Sequence, residues 1–405
     1  MKLPQVKFPW LKPFVKIALH TGKNTFQFAS MGRLDVFEKT QDLENNLGTL
    51  RGEFSIKRNG QLLEIYQGKG NRINAATGAL AIRSQNAFNT IEAEGHSYRG
   101  NLEIVHGRGN TLLLINIVAV EDYLRGVLPY EMPSKDRGIL EALKAQAIAA
   151  RTYAMAHQGQ HASRGFDMYA DERDQIYRGT TAETFVADKA ISQTRGILLT
   201  YKNELAVCYY HSTCGGHTAN HHQVWSGKNI PYLTAQSDKD AAGVNFCKKS
   251  NYTIWYESWE LEKLAGIIRQ NIKSAGVENP VTFAELTGLK VLDRTKSGRV
   301  QTLEIQTDQG AMLVKGDKIR WALRRDANRS PILFSSWFDI VKFGPKVLLF
   351  GRGNGHGIGM CQTGAMERAR RGQAFMEILY SYYKGSQLVQ MKEDVEAGAS
   401  NKQGK

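Results

Sequence analysis

At 405 residues the chain has room for two or three domains, or one large domain with lobes, and its 42% apolar content allows a sizeable core. No apolar run approaches the ~18 residues that a membrane span needs, and the first thirteen residues carry Lys and Pro instead of an apolar leader with a small-residue cleavage site. Lys plus Arg is 53 against 39 for Asp plus Glu, a net charge of +14 that suits polyanionic partners such as an anionic cell wall.

The positive charge is spread along the chain without a basic block or an aromatic-interleaved stripe, which turns the reading away from nucleic acid. Four cysteines are too few for a disulfide scaffold and enough for one metal site or one bridge.

From 15 to about 120 the pattern is one of short strands and turns. Segments 15–19, 50–56, 62–66, 101–105 and 111–118 are apolar or alternating, and Asn59-Gly60 is a hairpin signal. An antiparallel sheet is expected there. Residues 138–157 read as a helix, with Leu140, Leu143, Ala147, Ala150 and Ala154 on one face. Its many alanines would let another element pack closely. A further helix is expected at 184–192, then strands at 197–201 and 206–210. An amphipathic helix follows at 259–274, a hairpin at 300–307 and 312–314, a strand at 347–350 and a final helix at 366–383. The polar stretch after 390 reads as a disordered tail.

Three constellations could carry chemistry. In the first, Glu131 lies among Pro129, Tyr130, Met132 and Pro133, ahead of the alanine-rich helix. A carboxyl in apolar surroundings keeps its proton and can act as a general acid. It could equally be a helix-entry carboxylate stabilised by the helix dipole. The second runs from Cys208 through His211, Cys214, Gly215, Gly216 and His217 to His221, His222 and Cys247. Thiolates and imidazoles suit tetrahedral zinc, with His211, Cys214 and Cys247 as ligands and His217, His222 or water as a fourth. A Cys214–Cys247 disulfide, a Cys208 that is simply core, and a Cys214 nucleophile with His217 as base are the alternatives.

The third is the glycine-rich run 351–365, which carries His356 and Gln362. No start position in it gives G-x-G-x-x-G, and no phosphate-binding Lys follows. It reads as a close-approach loop forming one wall of a polar polymer site. Arg368, Arg370 and Arg371, just beyond, read as a solvated helix face.

Taken in order, these blocks resemble the SpoIID/LytB family of sporulation proteins and amidase enhancers. The carriers are Glu121-Asp122-Tyr123-Leu124-Arg125-Gly126-Val127-Leu128-Pro129-Tyr130-Glu131-Met132-Pro133, the helix block 143–154, the His-Ser-Thr-Cys-Gly-Gly block at 211–216, and Gly355-His356-Gly357-Ile358-Gly359-Met360-Cys361-Gln362. Ile378-Leu379 and Tyr382-Tyr383-Lys384-Gly385 resemble the closing block, so the likeness spans about 116–388.

The resemblance implies a peptidoglycan lytic transglycosylase with Glu131 as its acid and base. It also implies substrate contacts from Arg151, Tyr210, Ser212, His356 and Gln362, and a structural zinc on His211, Cys214 and Cys247. Cys361 stands where the family often has Ser, which argues against a nucleophile. The alternative within the resemblance is a non-catalytic, glycan-binding enhancer of a cell-wall amidase.

The expected fold is α+β, mainly antiparallel sheet with packed helices, in two lobes around a glycan-binding cleft. The expected domains are a β-rich region at 1–110, the SpoIID/LytB-like domain at 111–390 and a tail at 391–405. The resemblance places the protein in the cell envelope, with peptidoglycan strands and a cell-wall amidase as partners.

Overall fold

The structure is a computed structural model, and it describes residues 3–392 apart from 42, 69, 87 and 326–331. The chain forms two compact units, Met1–Val207 with Gln387–Lys405, and Cys208–Ser386. The architecture is mixed, with mostly antiparallel sheets and helices packed on them. No helix among the described residues is long and apolar enough to cross a membrane.

The first unit is built on an eleven-stranded sheet. Its central strands, Phe14–Lys23, Leu112–Ala119, Asn101–His106 and Ala79–Ser84, are rich in Ile, Leu and Val and pair antiparallel. Long strands Thr25–Lys39 and Glu44–Asn59 extend it, and the Asn59-Gly60 turn feeds Leu62–Gln67 as the hairpin signal predicts. The boundary expected at 110 falls inside the Asn101–His106/Leu112–Ala119 hairpin. That hairpin pairs in unbroken register from Asn101↔Ile117 to His106↔Leu112, so the sheet carries on past it. The tail expected at 391–405 lies outside the described residues from 393 onward. Met391, the first residue of that expected tail, ends a strand and pairs with Val6.

Three helices follow the sheet: α1 (Val120–Glu131), α2 (Leu140–Ala156) and α3 (Phe185–Gln193). In α2 thirteen residues are buried, so it is enclosed nearly all round, which its small side chains permit. Helix α1 was not expected, because Gly126 and Pro129 both disfavour helix interiors. Gly126 has a packing reason: a Cβ there would lie 2.5 Å from the Tyr177 ring and from the Gly179 carbonyl.

The second unit has its own core, made by residues between Trp255 and Leu349. It includes Leu264, Ala265, Ile267 and Ile268 on one face of α5 (Leu261–Asn271). Around that core lie two three-stranded sheets, Trp255–Glu260/Lys346–Gly351/Phe338–Phe343 and Leu286–Arg294/Val300–Thr307/Gly310–Lys315. Short helices α4 (His221–Trp225) and α6 (Lys318–Ala322) connect segments. The final helix expected at 366–383 is two, α7 (Gln362–Arg370) and α8 (Phe375–Tyr382), split at Gly372, whose φ of 84° no helix accommodates. Likewise the helix expected to begin at 259 begins at Leu261, because Trp255–Glu260 pairs as a strand.

Candidate functional site

In the first unit Glu131 is the last residue of α1. It therefore sits at the negative end of the helix dipole, and the helix-entry reading fails. Met132 closes the helix with its N–H on the Leu128 carbonyl at 3.1 Å. Glu131 is partly exposed, between exposed Tyr130 and buried Met132. Burial drives the phenol of fully buried Tyr123 far above its ordinary range, and the Glu131 charge adds a small part of that rise. Tyr123 Oη donates to Gln175 Oε1 at 3.0 Å in the buried interior of this unit. Arg151 is 1% exposed and engages both oxygens of Glu121, Nε–Oε1 at 2.8 Å and Nη2–Oε2 at 2.7 Å. Its guanidinium ties α2 to α1 through this pair.

In the second unit the second and third blocks come together. Strand Tyr210–His211 pairs in parallel with Met360–Cys361, bringing Tyr210, His211, Ser212, His356 and Gln362 into one neighbourhood. The dense glycines serve this packing. At Gly355, with φ 104°, a Cβ would lie 2.8 Å from His211 Cβ, and at Gly359 it would meet the Tyr209 carbonyl. The close approach is thus to the chain itself.

Both ring nitrogens of His356 are taken up by backbone: Nδ1 accepts from the Ile358 N–H at 3.0 Å, so Nε2 carries the proton and donates to the Tyr210 carbonyl at 2.9 Å. Burial lowers its pKa to about 4. Ser212 accepts at its carbonyl from Thr363 N and Oγ1. Gln362 opens α7 and is buried.

Of the ligands expected for a metal, Cys214 and Cys247 lie together, and Cys361 joins them. His211 turns its Nδ1 to the Ile358 carbonyl at 3.1 Å, and its buried Nε2 has no hydrogen-bond partner among the described residues. The sulfurs of Cys214, Cys247 and Cys361 lie within 4.8 Å of one another, all buried. All are thiols, so the alternative of a Cys214–Cys247 disulfide is not formed. Cys208 is buried and stands outside the trio, as the core reading has it.

The trio fits a tetrahedral ion. Zinc–sulfur bonds of about 2.3 Å put two sulfurs about 3.8 Å apart, and Cys214 Sγ to Cys247 Sγ is 3.8 Å. Asp238, 1% exposed, brings Oδ2 to 3.2 Å from Cys214 Sγ and is itself held by Arg368 and Tyr382, so it borders the trio. Backbone N–H groups support the sulfurs: Gly216 N to Cys214 at 3.3 Å, and Cys214 N and Gly364 N to Cys361 at 3.2 and 3.3 Å. Hydrogen bonds from the neighbouring thiols and from the Gly215 and Gly216 amides pull Cys247 toward thiolate, whereas burial pushes Cys214 and Cys361 up.

Two buried guanidiniums flank the donors. Arg299 donates to the Cys214 carbonyl at 3.1 Å, and Arg368 to Asp238 Oδ1 at 2.9 Å. Were the three sulfurs ionised on a bound cation, they and the Asp238 carboxylate would stand against two guanidiniums and leave a charge that one divalent cation balances. Arg368 is thereby removed from the solvated helix face expected of it: it is 8% exposed and lies over the Phe246 ring. Sequence reasoning missed Cys361, Asp238 and Arg299 as members of this centre. No fixed spacing joins them, and Cys214 and Cys361 are 147 positions apart.

A family model described as stage II sporulation protein matches residues 108–201, covering α1, α2 and Glu131. An amidase enhancer of Bacillus subtilis is 29% identical over 86% of this chain. The stage II sporulation protein D of the same organism is 28% identical over 67% of this chain and 74% of its own length. The chain belongs to the SpoIID/LytB family.

An uncharacterized protein of Brachyspira hyodysenteriae is 30% identical over 79% of this chain and 79% of its own length. The chain spans about half the length of the amidase enhancer, 52%. A domain of unknown function matches residues 247–359, a span that begins at Cys247 and encloses the core of the second unit. The SpoIID/LytB chain thus carries its candidate acid in one unit and its thiol centre in the other.

Proposed function

We propose that the chain is a peptidoglycan lytic transglycosylase of the cell envelope, with Glu131 as its single acid and base. The observation that carries the reading is the placement of Glu131. It is a partly exposed carboxyl at the C-terminal end of α1, inside the segment matched to the sporulation family, where the helix dipole gives its ionised form no support. Such a group suits proton donation.

Glu131 would protonate the glycosidic oxygen as the bond from the muramic anomeric carbon breaks. The 6-hydroxyl of the same sugar would attack that carbon, and the Glu131 carboxylate would take the hydroxyl proton. The products are a 1,6-anhydro end and a free sugar end, with no water consumed. Attack from within the substrate lowers the entropic cost, so the second carboxylate of a hydrolytic glycosidase is not needed.

The thiol centre is assigned a structural zinc held by Cys214, Cys247 and Cys361, supported by the sulfur spacing and the charge balance. When bound, zinc would cross-link these segments. Tyr210, Ser212 and Gln362 remain candidates for glycan contact, and a cell-wall amidase is the candidate protein partner.

The test is incubation with purified peptidoglycan, with and without stem peptides, followed by mass spectrometry. Wild type should release anhydro-muropeptides. Glu131→Gln should keep its fold and lower the rate by about 10² to 10⁴. Undiminished release by that variant would remove Glu131 from the mechanism. A wild type that releases nothing, yet accelerates a purified amidase on the same material, would establish the enhancer reading that the similarity to the amidase enhancer supports.

A further inference from the structure

A cavity of about 280 Å³ opens in the second unit, between the end of α4, the turn after α5 and the segment from Leu313 to Lys318. Its size is near the lower end for ligand pockets, about 300 to 1,000 Å³, and matches one sugar residue better than a chain. Trp225 lines it. The indole is held by three rings: its centroid is 4.7 Å from those of Tyr209 and His356 and 5.7 Å from that of His221. Even so it remains 37% exposed. The following residue, Ser226, is a non-glycine with φ 54°, a backbone state that persists only where the surroundings impose it.

Lys315 and Lys318 line the same cavity and are exposed, and neither forms an ion pair among the described residues. The acid between them, Asp317, is 9% exposed and bound to Arg320 Nη1 at 3.0 Å, so it does not neutralise them. The Asp317 N–H donates to the Val224 carbonyl at 2.9 Å, which pins the lysine turn to the base of the tryptophan. A fixed indole beside two unneutralised ammonium groups is complementary to a ring with apolar C–H faces and a carboxylate.

We propose that this cavity binds one acidic saccharide residue, with Trp225 against the sugar ring and Lys315 and Lys318 at its carboxylate. The inference rests on the peptidoglycan reading and adds to it a residue-specific subsite. Within that polymer the carboxylate belongs to an N-acetylmuramoyl residue, on its lactyl group or on an attached peptide.

The test uses the full chain carrying Glu131→Gln, titrated by ligand-observed NMR with N-acetylmuramic acid, muramyl dipeptide and N-acetylglucosamine. Both acidic ligands, or the one with the preferred carboxylate, should bind more tightly than N-acetylglucosamine. The advantage should shrink as salt is raised. Lys315→Gln with Lys318→Gln should weaken the acidic ligand about three- to tenfold, as exposed charge pairs allow, and leave N-acetylglucosamine unchanged. Trp225→Ala should weaken all three.

A preference for N-acetylmuramic acid places the carboxylate on the lactyl group, and a preference for muramyl dipeptide places it on the peptide. Equal binding by the double-lysine variant would overturn the proposal. So would displacement by inorganic phosphate that is as strong in Trp225→Ala as in its parent, since the cavity would then be a general anion site. Wild-type cleavage of peptidoglycan combined with lysine-independent binding removes the subsite alone. Lysine-dependent binding without any cleavage removes the transglycosylase reading and leaves the subsite standing.

Discussion

Arg151 holds both oxygens of Glu121 in a two-pronged bond, and Glu121 Oε1 also accepts from the Gly196 N–H at 3.2 Å. Removing one partner of a buried ion pair strands the other charge, at a cost of about 3 to 5 kcal/mol. Glu121 retains 21% side-chain exposure, which lets water relieve part of that. Glu121→Gln should therefore lower stability by about 3 kcal/mol or somewhat less in urea unfolding, while the folded fraction keeps its activity toward glycan. Loss of turnover at full stability would instead put this pair in the reaction. Cys214 and Cys247 were legible in the sequence as a pair, and the structure brings them together. Asp238 and Arg299 were not, because their roles depend on burial against sulfurs contributed from elsewhere in the chain.

The glycine loop acts as an element. Its alternate residues turn through positive φ, at Gly353, Gly355, Gly357 and Gly359, and lay the chain along the segment from Tyr209 to Cys214. Gly355→Val adds a β-branched side chain where φ is 104° and where His211 Cβ is 2.8 Å away. It should cost more than the 1 to 3 kcal/mol typical of local backbone strain, read as a fall in melting temperature, with the second unit's hydrogen-exchange protection lost first.

The same loop confers a pH dependence. Burial lowers the His356 pKa from 6.5 to about 4, so below pH 6.5 the unfolded chain takes up a proton that the fold refuses. Stability from this group is complete above about pH 6.5 and is lost as pH falls toward 4. Replacing His356 by Asn should flatten that part of the melting-temperature profile, and an unchanged slope would assign it to other groups. The sequence made the loop's close approach visible through its glycines, but not what it approaches. The apolar strands of the first unit and the alanine-rich α2 were legible from periodicity. Helix α1 was not, since its Gly126 and Pro129 are tolerated only through tertiary packing.

At the scale of the molecule, the thiol centre stands at the gate of the second unit's core. Cys247 precedes the strand that opens the core, Trp255–Glu260, and Cys361 follows the strand that completes it, Lys346–Gly351. Cys214 comes from the block before both. A metal on these sulfurs would fasten the two ends of the core segment to a third strand of chain, closing a long loop whose closure entropy the fold must otherwise supply. Metal that binds only the folded chain stabilises it by about 2.7 kcal/mol at a hundredfold excess over its dissociation constant.

Protein purified without chelator should therefore carry close to one zinc per chain by elemental analysis, and prolonged chelation should lower its melting temperature. Zinc, but not magnesium, should restore it, because the donors are soft. Cys361→Ser should lose the zinc and mimic chelation, while His211→Gln should retain it. The opposite pattern in those two variants would return His211 to the ligand set and remove Cys361. A metal-free protein whose melting temperature ignores chelator, with Cys214 and Cys247 joined in a disulfide on peptide mapping, would show that sulfur and not metal closes the loop.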